Sequence, residues 1–235
     1  MSHIAIEYSN NCMDWLTADI LSRWKLTNIT IDECETKPTS FIVIVQSCAE
    51  LTTIVLLSHY IDDSAVINII QHCPKLKTLA LTSKLLTYNS LIVLSERSLD
   101  LKELDIQYIP NIPTADIARR CSHALSCIRH LSTYYLHQNG QDANILIPYM
   151  TGLTRVDIRN YYSHIYIPLL TQHCHKLTEI AMYNYNYSVA DILSLCRANP
   201  LLQKVYCHCR CDFTDATLIE LIHACPHLHT LHIPY

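Results

Sequence analysis

The stretch Leu76-Lys77-Thr78-Leu79-Ala80-Leu81 decides the fold, because its L-x-x-L-x-L frame returns along the whole chain. An apolar anchor with apolar partners at +3 and +5 opens at Met1, Leu26, Leu51, Leu76, Leu101, Leu125, Leu153, Leu177, Leu202 and Leu228. The steps between successive anchors run 25, 25, 25, 25, 24, 28, 24, 25 and 26 along the chain. Of the twenty +3 and +5 positions, only His130 and Cys207 are neither aliphatic nor Met. Alternation at this spacing describes a short strand with one face turned to a core. Between strands, apolar residues recur at intervals of three and four, as in Val66, Ile69, Ile70 and Cys73 or Leu218, Leu221, Ile222 and Cys225. That is one face of a short helix. A single strand and helix cannot bury these faces alone, so stacked neighbours must make the core.

A strand-helix unit of this length resembles the leucine-rich repeat. The expected fold is an α/β solenoid of about ten repeats. Parallel strands about 4.8 Å apart on one side and bulkier helices on the other bend such a stack into a horseshoe, with strands on the concave face and helices on the convex one. One domain is expected over residues 1–235, since no linker interrupts the frame. Its extremes, Ser2-His3-Ile4-Ala5-Ile6 and Thr230-Leu231-His232-Ile233-Pro234-Tyr235, read as strands without polar caps. Two accounts are open: the chain is part of a longer product, or its ends pair with another chain.

A second regularity lies three residues before the anchors, where Cys48, Cys73, Cys174 and Cys225 share one phase. The phrases Cys73-Pro74-Lys75-Leu76, Cys174-His175-Lys176-Leu177 and Cys225-Pro226-His227-Leu228 resemble the helix end of the cysteine-containing leucine-rich repeat, typical of F-box/leucine-rich-repeat proteins. The resemblance implies the substrate-recognition part of an SCF-type ubiquitin ligase receptor, with a Skp1–cullin complex as partner where an F-box exists on the native chain. No F-box is visible in this sequence, whose repeat frame starts at Met1. The family's Cys or Asn at +8 survives as Cys34 but is replaced at His59, Lys84, Ile109, Tyr161, Tyr185 and Arg210. A free-standing scaffold or regulator unrelated to ubiquitin is the alternative.

Composition narrows the function. Half of the 235 residues are hydrophobic and 16% are charged, which supplies a large core. The net charge of -4 argues against a nucleic-acid binder that tracks phosphates. Neither a membrane-length apolar run nor a signal peptide is present, so no membrane partner is expected. Twelve cysteines spread by repeat phase read as reduced buried thiols, which points to cytoplasm or nucleus. Two N-x-S/T matches, at Asn28 and Asn186, point the other way and are discounted as short chance motifs. With only Gly140 and Gly152, no phosphate-cradling loop can be built, and no hydrolase or metalloprotease motif appears. An enzyme is not expected, nor is a cofactor. The sharpest chemical candidate is Cys207-His208-Cys209-Arg210-Cys211, but strand alternation places His208 opposite the cysteines, so core thiols are the preferred reading over a metal site.

Recognition should then fall on the +2, +4 and +6 positions, which face away from the core. In the first four repeats these are mostly small or bland. From the fifth onward they become Glu103 and Asp105, then Arg129, Arg155, Asp157 and Arg159, then Glu179, Tyr183, Lys204, Tyr206 and His208. These eleven residues form the candidate protein-binding surface, since Tyr and Arg concentrate at interface hot spots. Tyr161 and Tyr185 fit equally well as loop fillers at +8. The long step from Leu125 to Leu153 is open to two readings, a longer rim loop around Tyr134–Gln141 or a locally decayed repeat that puts His130 in the core.

Overall fold

The computed structural model describes residues 2–7, 25–32, 38–57, 61–97, 100–106, 112–132, 141–159, 163–183, 187–208 and 212–233. Within them, strands and helices follow one another in chain order. The strands are β1 (Ser2–Glu7), β2 (Leu26–Asp32), β3 (Thr53–Leu57), β4 (Thr78–Leu81), β5 (Glu103–Ile106), β6 (His130–Ser132), β7 (Arg155–Ile158), β8 (Glu179–Met182), β9 (Lys204–Cys207) and β10 (Thr230–His232). The helices are α1 (Pro38–Ser47), α2 (Asp63–His72), α3 (Tyr88–Arg97), α4 (Ala115–Arg120), α5 (Ser122–Cys127), α6 (Gln141–Leu146), α7 (Ser163–His173), α8 (Val189–Ala198) and α9 (Asp215–Ala224). Residue contacts cluster into two compact units, Met1–Asn111 with Arg119–Ala124, and Ile112–Ala118 with Leu125–Tyr235. Each unit carries a five-stranded, all-parallel sheet whose strands are ordered as in the sequence, β1 to β5 in one and β6 to β10 in the other. Neighbouring helices pack in the same sequential order, α1 on α2 and α2 on α3 in the first unit, α7 on α8 and α8 on α9 in the second. This is the α/β leucine-rich-repeat fold.

Repeats are locked together by one backbone device. The residue after each anchor offers its carbonyl to two N–H groups of the next repeat: Thr52 to Lys77 and Thr78, Lys77 to Lys102 and Glu103, Thr154 to Thr178 and Glu179, Gln203 to His229 and Thr230, at 2.8–3.1 Å. Threonine at this position adds a side-chain rung, as Thr52, Thr154 and Thr178 each donate Oγ1 to the preceding repeat's carbonyl at 3.1 Å. Along β3, β4, β5 and β9 the side chains at +3 and +5 are buried and those at +2 and +4 more exposed, as the frame requires.

The same device corrects the frame of the sixth repeat. Arg129, and not Ser126, supplies the carbonyl to Thr154 and Arg155, and Leu131 stands in register with Val156. The anchor is therefore Ile128, with Leu131 at +3, both buried. Leu125 takes the place three residues earlier: its carbonyl accepts from Ile128 N–H at 3.2 Å, as Cys48 does from Leu51 and Cys225 from Leu228. The step from Leu101 to this anchor is then 27, and the step onward to Leu153 is 25, the common value. His130 is thus not a decayed core position. It lies at +2, half-exposed on the open face of the sheet, meaning the face away from the helices. The extra length therefore belongs to the fifth repeat, which carries α4 and α5, and the loop around 133–140 in the sixth lies outside the described residues.

The repeated cysteines have a specific task at the helix ends. A helix leaves its last carbonyls without intrahelical donors. The Cys73 thiol reaches the carbonyls of Val45 and Cys48 at 3.9 and 4.0 Å, Cys174 reaches Met150 at 3.7 Å, and Cys225 reaches Cys196 at 3.6 Å. Each thiol thereby donates to the helix end of the repeat before it. The eight described cysteines are all buried. Burial pushes the Cys73 and Cys174 thiols up to about 12, so both stay protonated and able to donate. Asn199 occupies the same phase and does more: its Oδ1 accepts from Leu177 N–H at 3.0 Å while its Nδ2 donates to Leu195 carbonyl at 3.1 Å, in a fully buried position.

Helix starts are read from local chemistry. Asp62 accepts from Ala65 N–H before α2, Ser188 from Asp191 N–H before α8, and Thr214 pairs reciprocally with Thr217 before α9. The expected apolar stripe of α2 is buried throughout, whereas in α9 Leu221 is buried and Ile222 is exposed.

Asn199→Ala leaves a buried N–H and a buried carbonyl unpaired, and is expected to cost about 2 kcal/mol or more in urea denaturation. Asn199→Cys, which restores the donor used at Cys73 and Cys174, should recover part of that loss. Equal stability of the Ala variant and the wild type would sink this account of the helix end.

Candidate functional site

The open face of β6 to β10 is organised by strand register into rows. The +2 row runs His130, Arg155, Glu179, Lys204 and Thr230, and the +4 row runs Ser132, Asp157, Ala181, Tyr206 and His232. Just beyond the strands, at +6, lie Arg159, Tyr183 and His208. Neighbouring strands bring the members of a row close enough for side chains to touch. Positions a whole repeat apart in sequence are thereby brought into direct contact.

Opposite charges alternate along the +2 row and knit it to the +4 row. Arg155 Nε lies 3.5 Å from both Asp157 Oδ1 and Glu179 Oε1, and Lys204 Nζ lies 3.4 Å from Glu179 Oε2. Arg159 Nη2 stands 4.0 Å from Asp157 Oδ2, and His130 Nε2 3.3 Å from the same oxygen. Asp157 is the hub and is almost wholly covered, with its side chain only 6% exposed. Burial alone would raise its pKa above the ordinary 3.8. The hydrogen bond from His130 and the charge of Arg155 outweigh burial, so the carboxyl is held below that value.

The +6 row is aromatic and cationic. The Arg159 guanidinium carbon sits 4.3 Å above the Tyr183 ring centre, a cation–π contact. The Tyr183 ring stacks on His208 at 4.6 Å and 7°, and His208 meets His232 at 5.0 Å and 42°. Four strand ends therefore carry a continuous column. Between this column and the +2 row lies a groove of about 390 Å³ lined by Arg155, Glu179, Ala181, Tyr183, Tyr206, His208 and His232. Ala181 makes the hollow, because it is the small side chain between Asp157 and Tyr206 in its row.

Eight of the eleven expected residues meet on this face: Arg155, Asp157, Arg159, Glu179, Tyr183, Lys204, Tyr206 and His208. Glu103 and Asp105 are exposed on the open face of β5 and belong to the other unit. Arg129 is spent elsewhere. At +1 rather than +4, its Nη1 donates to the carbonyls of Ser126 at 2.9 Å and Gly152 at 3.1 Å, tying a helix end to a turn. Gly152 is needed there, since a Cβ would stand 2.0 Å from both Arg129 Nη1 and the Ser126 carbonyl. Asp157 faces the open side but lies beneath its partners. His130 and His232 belong to the face and were not among the expected residues. The +4 rule applied from Leu228 finds His232, and the +2 rule applied from the corrected anchor Ile128 finds His130.

Cys207 is buried and His208 exposed, on opposite sides of β9 as alternation requires, while Cys209, Arg210 and Cys211 lie outside the described residues. Among the described residues no group of three or more His, Cys, Asp or Glu side chains is arranged to hold a metal. Of the tyrosines, Tyr183 is exposed, Tyr206 half-buried and Tyr187 buried, and Tyr161, Tyr162 and Tyr185 lie outside the described residues. Among the described residues no helix is long and apolar enough to cross a membrane.

The geometry just described belongs to a leucine-rich-repeat chain, and comparison with solved structures agrees on that fold. The chain is similar to the leucine-rich repeat-containing protein LegL7 from Legionella pneumophila, with a TM-score of 0.59 at 12% identity over 96% of this chain and 81% of that one. Human 5T4 (trophoblast glycoprotein) is matched at a TM-score of 0.41 and 15% identity over 97% of this chain and 75% of its own. TLR13, in its complex with ssRNA13, is matched at a TM-score of 0.32 and 14% identity, over 86% of this chain and 45% of its own. No protein-family model matches the sequence, and no curated protein sequence matches it.

Two outcomes are expected. Gly152→Ala drives Cβ into the Arg129 guanidinium and should lower stability by about 1–3 kcal/mol; a thermal melt superimposable on the wild type would contradict the tie. For Asp157, the folded-state pKa lies below the unfolded one, so its contribution is complete above about pH 4 and shrinks as pH falls through the folded value. Asp157→Asn should therefore be less stable than wild type near neutral pH, with the gap closing in acid. A gap independent of pH would refute the ionised hub.

Proposed function

We propose that this chain is a protein-binding leucine-rich-repeat module whose recognition surface is the open face of β6 to β10. The observation that carries this reading is the exposed column of Arg159, Tyr183, His208 and His232 beside the Ala181 hollow. Rigid rings and a forked cation bury much area at little entropic cost, which is why such side chains dominate interface energetics. Their pre-stacking lowers the ordering cost of binding further.

The narrower reading is the substrate-recognition part of an SCF-type ubiquitin ligase receptor, acting in cytoplasm or nucleus, with catalysis supplied by partners. Its support is the Cys-Pro-x-Leu phrase at Cys73 and Cys225, whose thiols donate to the preceding helix end, and the eight thiols among the described residues, buried and unbridged, suit a reducing compartment. In this reading Skp1 and a cullin join through an F-box on the native polypeptide. The alternative is a free-standing scaffold or regulator with no link to ubiquitin.

Native immunoprecipitation with mass spectrometry tests both levels. A specific protein should copurify with the wild type and fall by about tenfold with Tyr183→Ala or Arg155→Ala. Retention by both variants would remove the recognition surface from this face. Copurification of Skp1 and a cullin supports the ubiquitin reading, and a partner recovered without Skp1 supports the scaffold.

A further inference from the structure

The charges on the open face of β6 to β10 are unequally sunk. The three permanent cations keep much of their side chains in solvent, at 47% for Arg155, 45% for Arg159 and 40% for Lys204. The two acids do not, with Glu179 at 18% and Asp157 at 6%. Short carboxylates lie at the floor of the network and long cationic side chains arch over them. By formal count the cluster carries one positive charge in excess, three cations against two carboxylates. The surface it presents is more cationic than that count and opposite in sign to the chain as a whole, whose net charge is -4.

Two imidazoles extend this surface. His208 and His232 are exposed, 5.0 Å apart between ring centres, and both line the groove. The charged and titratable groups that face them from packed elements are Tyr183, Glu179 and Arg155 along the groove, and Tyr206 and Lys204 from β9. Among the described residues neither imidazole forms an ion pair with a carboxylate. Two protonated imidazoles so close repel one another, and an anion between them relieves that repulsion.

We propose that the groove accepts an acidic segment of a partner protein, whose carboxylate enters the Ala181 hollow and is met by His208, His232 and Arg155, which line it, with the cationic Lys204 beside it on Glu179. This rests on the reading of the face as a protein-recognition surface and names the chemistry of what it recognises. A peptide fits better than a nucleic acid, the other polyanion to consider. The cationic surface spans three neighbouring strands, about 10 Å at strand spacing, with Glu179 in its middle. A phosphate backbone needs a longer basic stripe than three strands provide. Binding is coupled to protonation, because histidine side chains change charge between about pH 5 and 8.

The test uses the whole chain and a fluorescent Glu-Ser-Glu-Ser-Glu-Ser peptide, with a Lys-Ser peptide and a single-stranded RNA of matched charge as controls, read by anisotropy. Affinity for the acidic peptide should rise about tenfold or more from about pH 7.5 to about pH 5.5, a range in which glutamate stays ionised. Lys204→Glu should weaken it about tenfold, and the paired His208→Gln, His232→Gln variant should flatten the pH dependence to within about twofold. On the unaltered protein, the imidazole NMR signals of His208 and His232 should titrate at higher pH when the peptide is present, a readout that needs no variant to fold. No peptide binding at the lower pH, a flat profile, a double variant that keeps the wild-type slope, or tighter binding of the RNA would each overturn the proposal. These failures are distinguishable from failure of the broader reading, which is judged by whether Tyr183→Ala and Arg155→Ala release the native partner.

Discussion

Everything in each unit hangs on the shared carbonyl one residue after the anchor. By accepting two N–H groups from the next repeat, it fixes the relative height of adjacent strands, and parallel pairing carries that register through the sheet. The core follows from this, because only in that register do Ile29, Ile54, Leu79 and Leu104, all at +3, fall side by side, as do Leu131, Val156, Ile180 and Val205. The open face follows as well. A slip of one residue would turn Tyr206 inward and Val205 outward, since strand faces alternate with period two. The contact between Tyr183 and His208, a full repeat apart in sequence, is thus a product of backbone hydrogen bonds rather than of affinity between the rings.

The fold is legible because it is overdetermined: the repeats agree with one another, and one wrong anchor cannot move the rest. The exception is instructive. Leu125, Ile128 and Leu131 form a run of apolar residues three apart, so the L-x-x-L opening can be placed at either of the first two. Placing it at Leu125 puts His130 at +5 and placing it at Ile128 puts Thr133 there, so the residue type at +5 does not choose between the two frames, and the choice comes from the Arg129 carbonyl and the register of Leu131 with Val156. The phase of the cysteines is legible too, but its equivalence with Asn199 is not. Thiol and carboxamide look unlike in sequence and are alike only in meeting the groups at a helix end.

The candidate face is legible in outline and not in depth. Alternation correctly places Arg155, Lys204, Tyr183 and His208 on the open side, yet it treats Asp157 as their equal. Asp157 is instead the buried foundation on which Arg155 and Arg159 rest, because a carboxylate on a short stem between long cations is covered by them. Its lowered pKa reflects that position: desolvation opposes the charge, and the surrounding donors more than compensate. Arg129 shows the reverse error. A basic residue near a basic face is easily counted with it, whereas Gly152 next to its guanidinium marks it as a structural clamp.

The asymmetry between sunken acids and raised cations bears on why one face can be stable and adhesive at once. Exposed ion pairs contribute little to stability, about 0–1 kcal/mol each, because water competes for both partners. Pairs with one member buried differ: the covered carboxylates hold the cations in fixed positions, while the outer edges of those cations remain in solvent. Arg155, whose Nε lies 3.5 Å from both Asp157 and Glu179, still keeps 47% of its side chain in solvent. A guanidinium oriented in this way has already lost much of the freedom that binding would otherwise take from it, which favours a new carboxylate over the same side chain on a mobile loop. The stacking of Tyr183 between Arg159 and His208 orders the opposite wall by the same logic. The network that organises the face is therefore also the device that readies it for a partner, and loosening Asp157 should be felt at the groove before it is felt in the core.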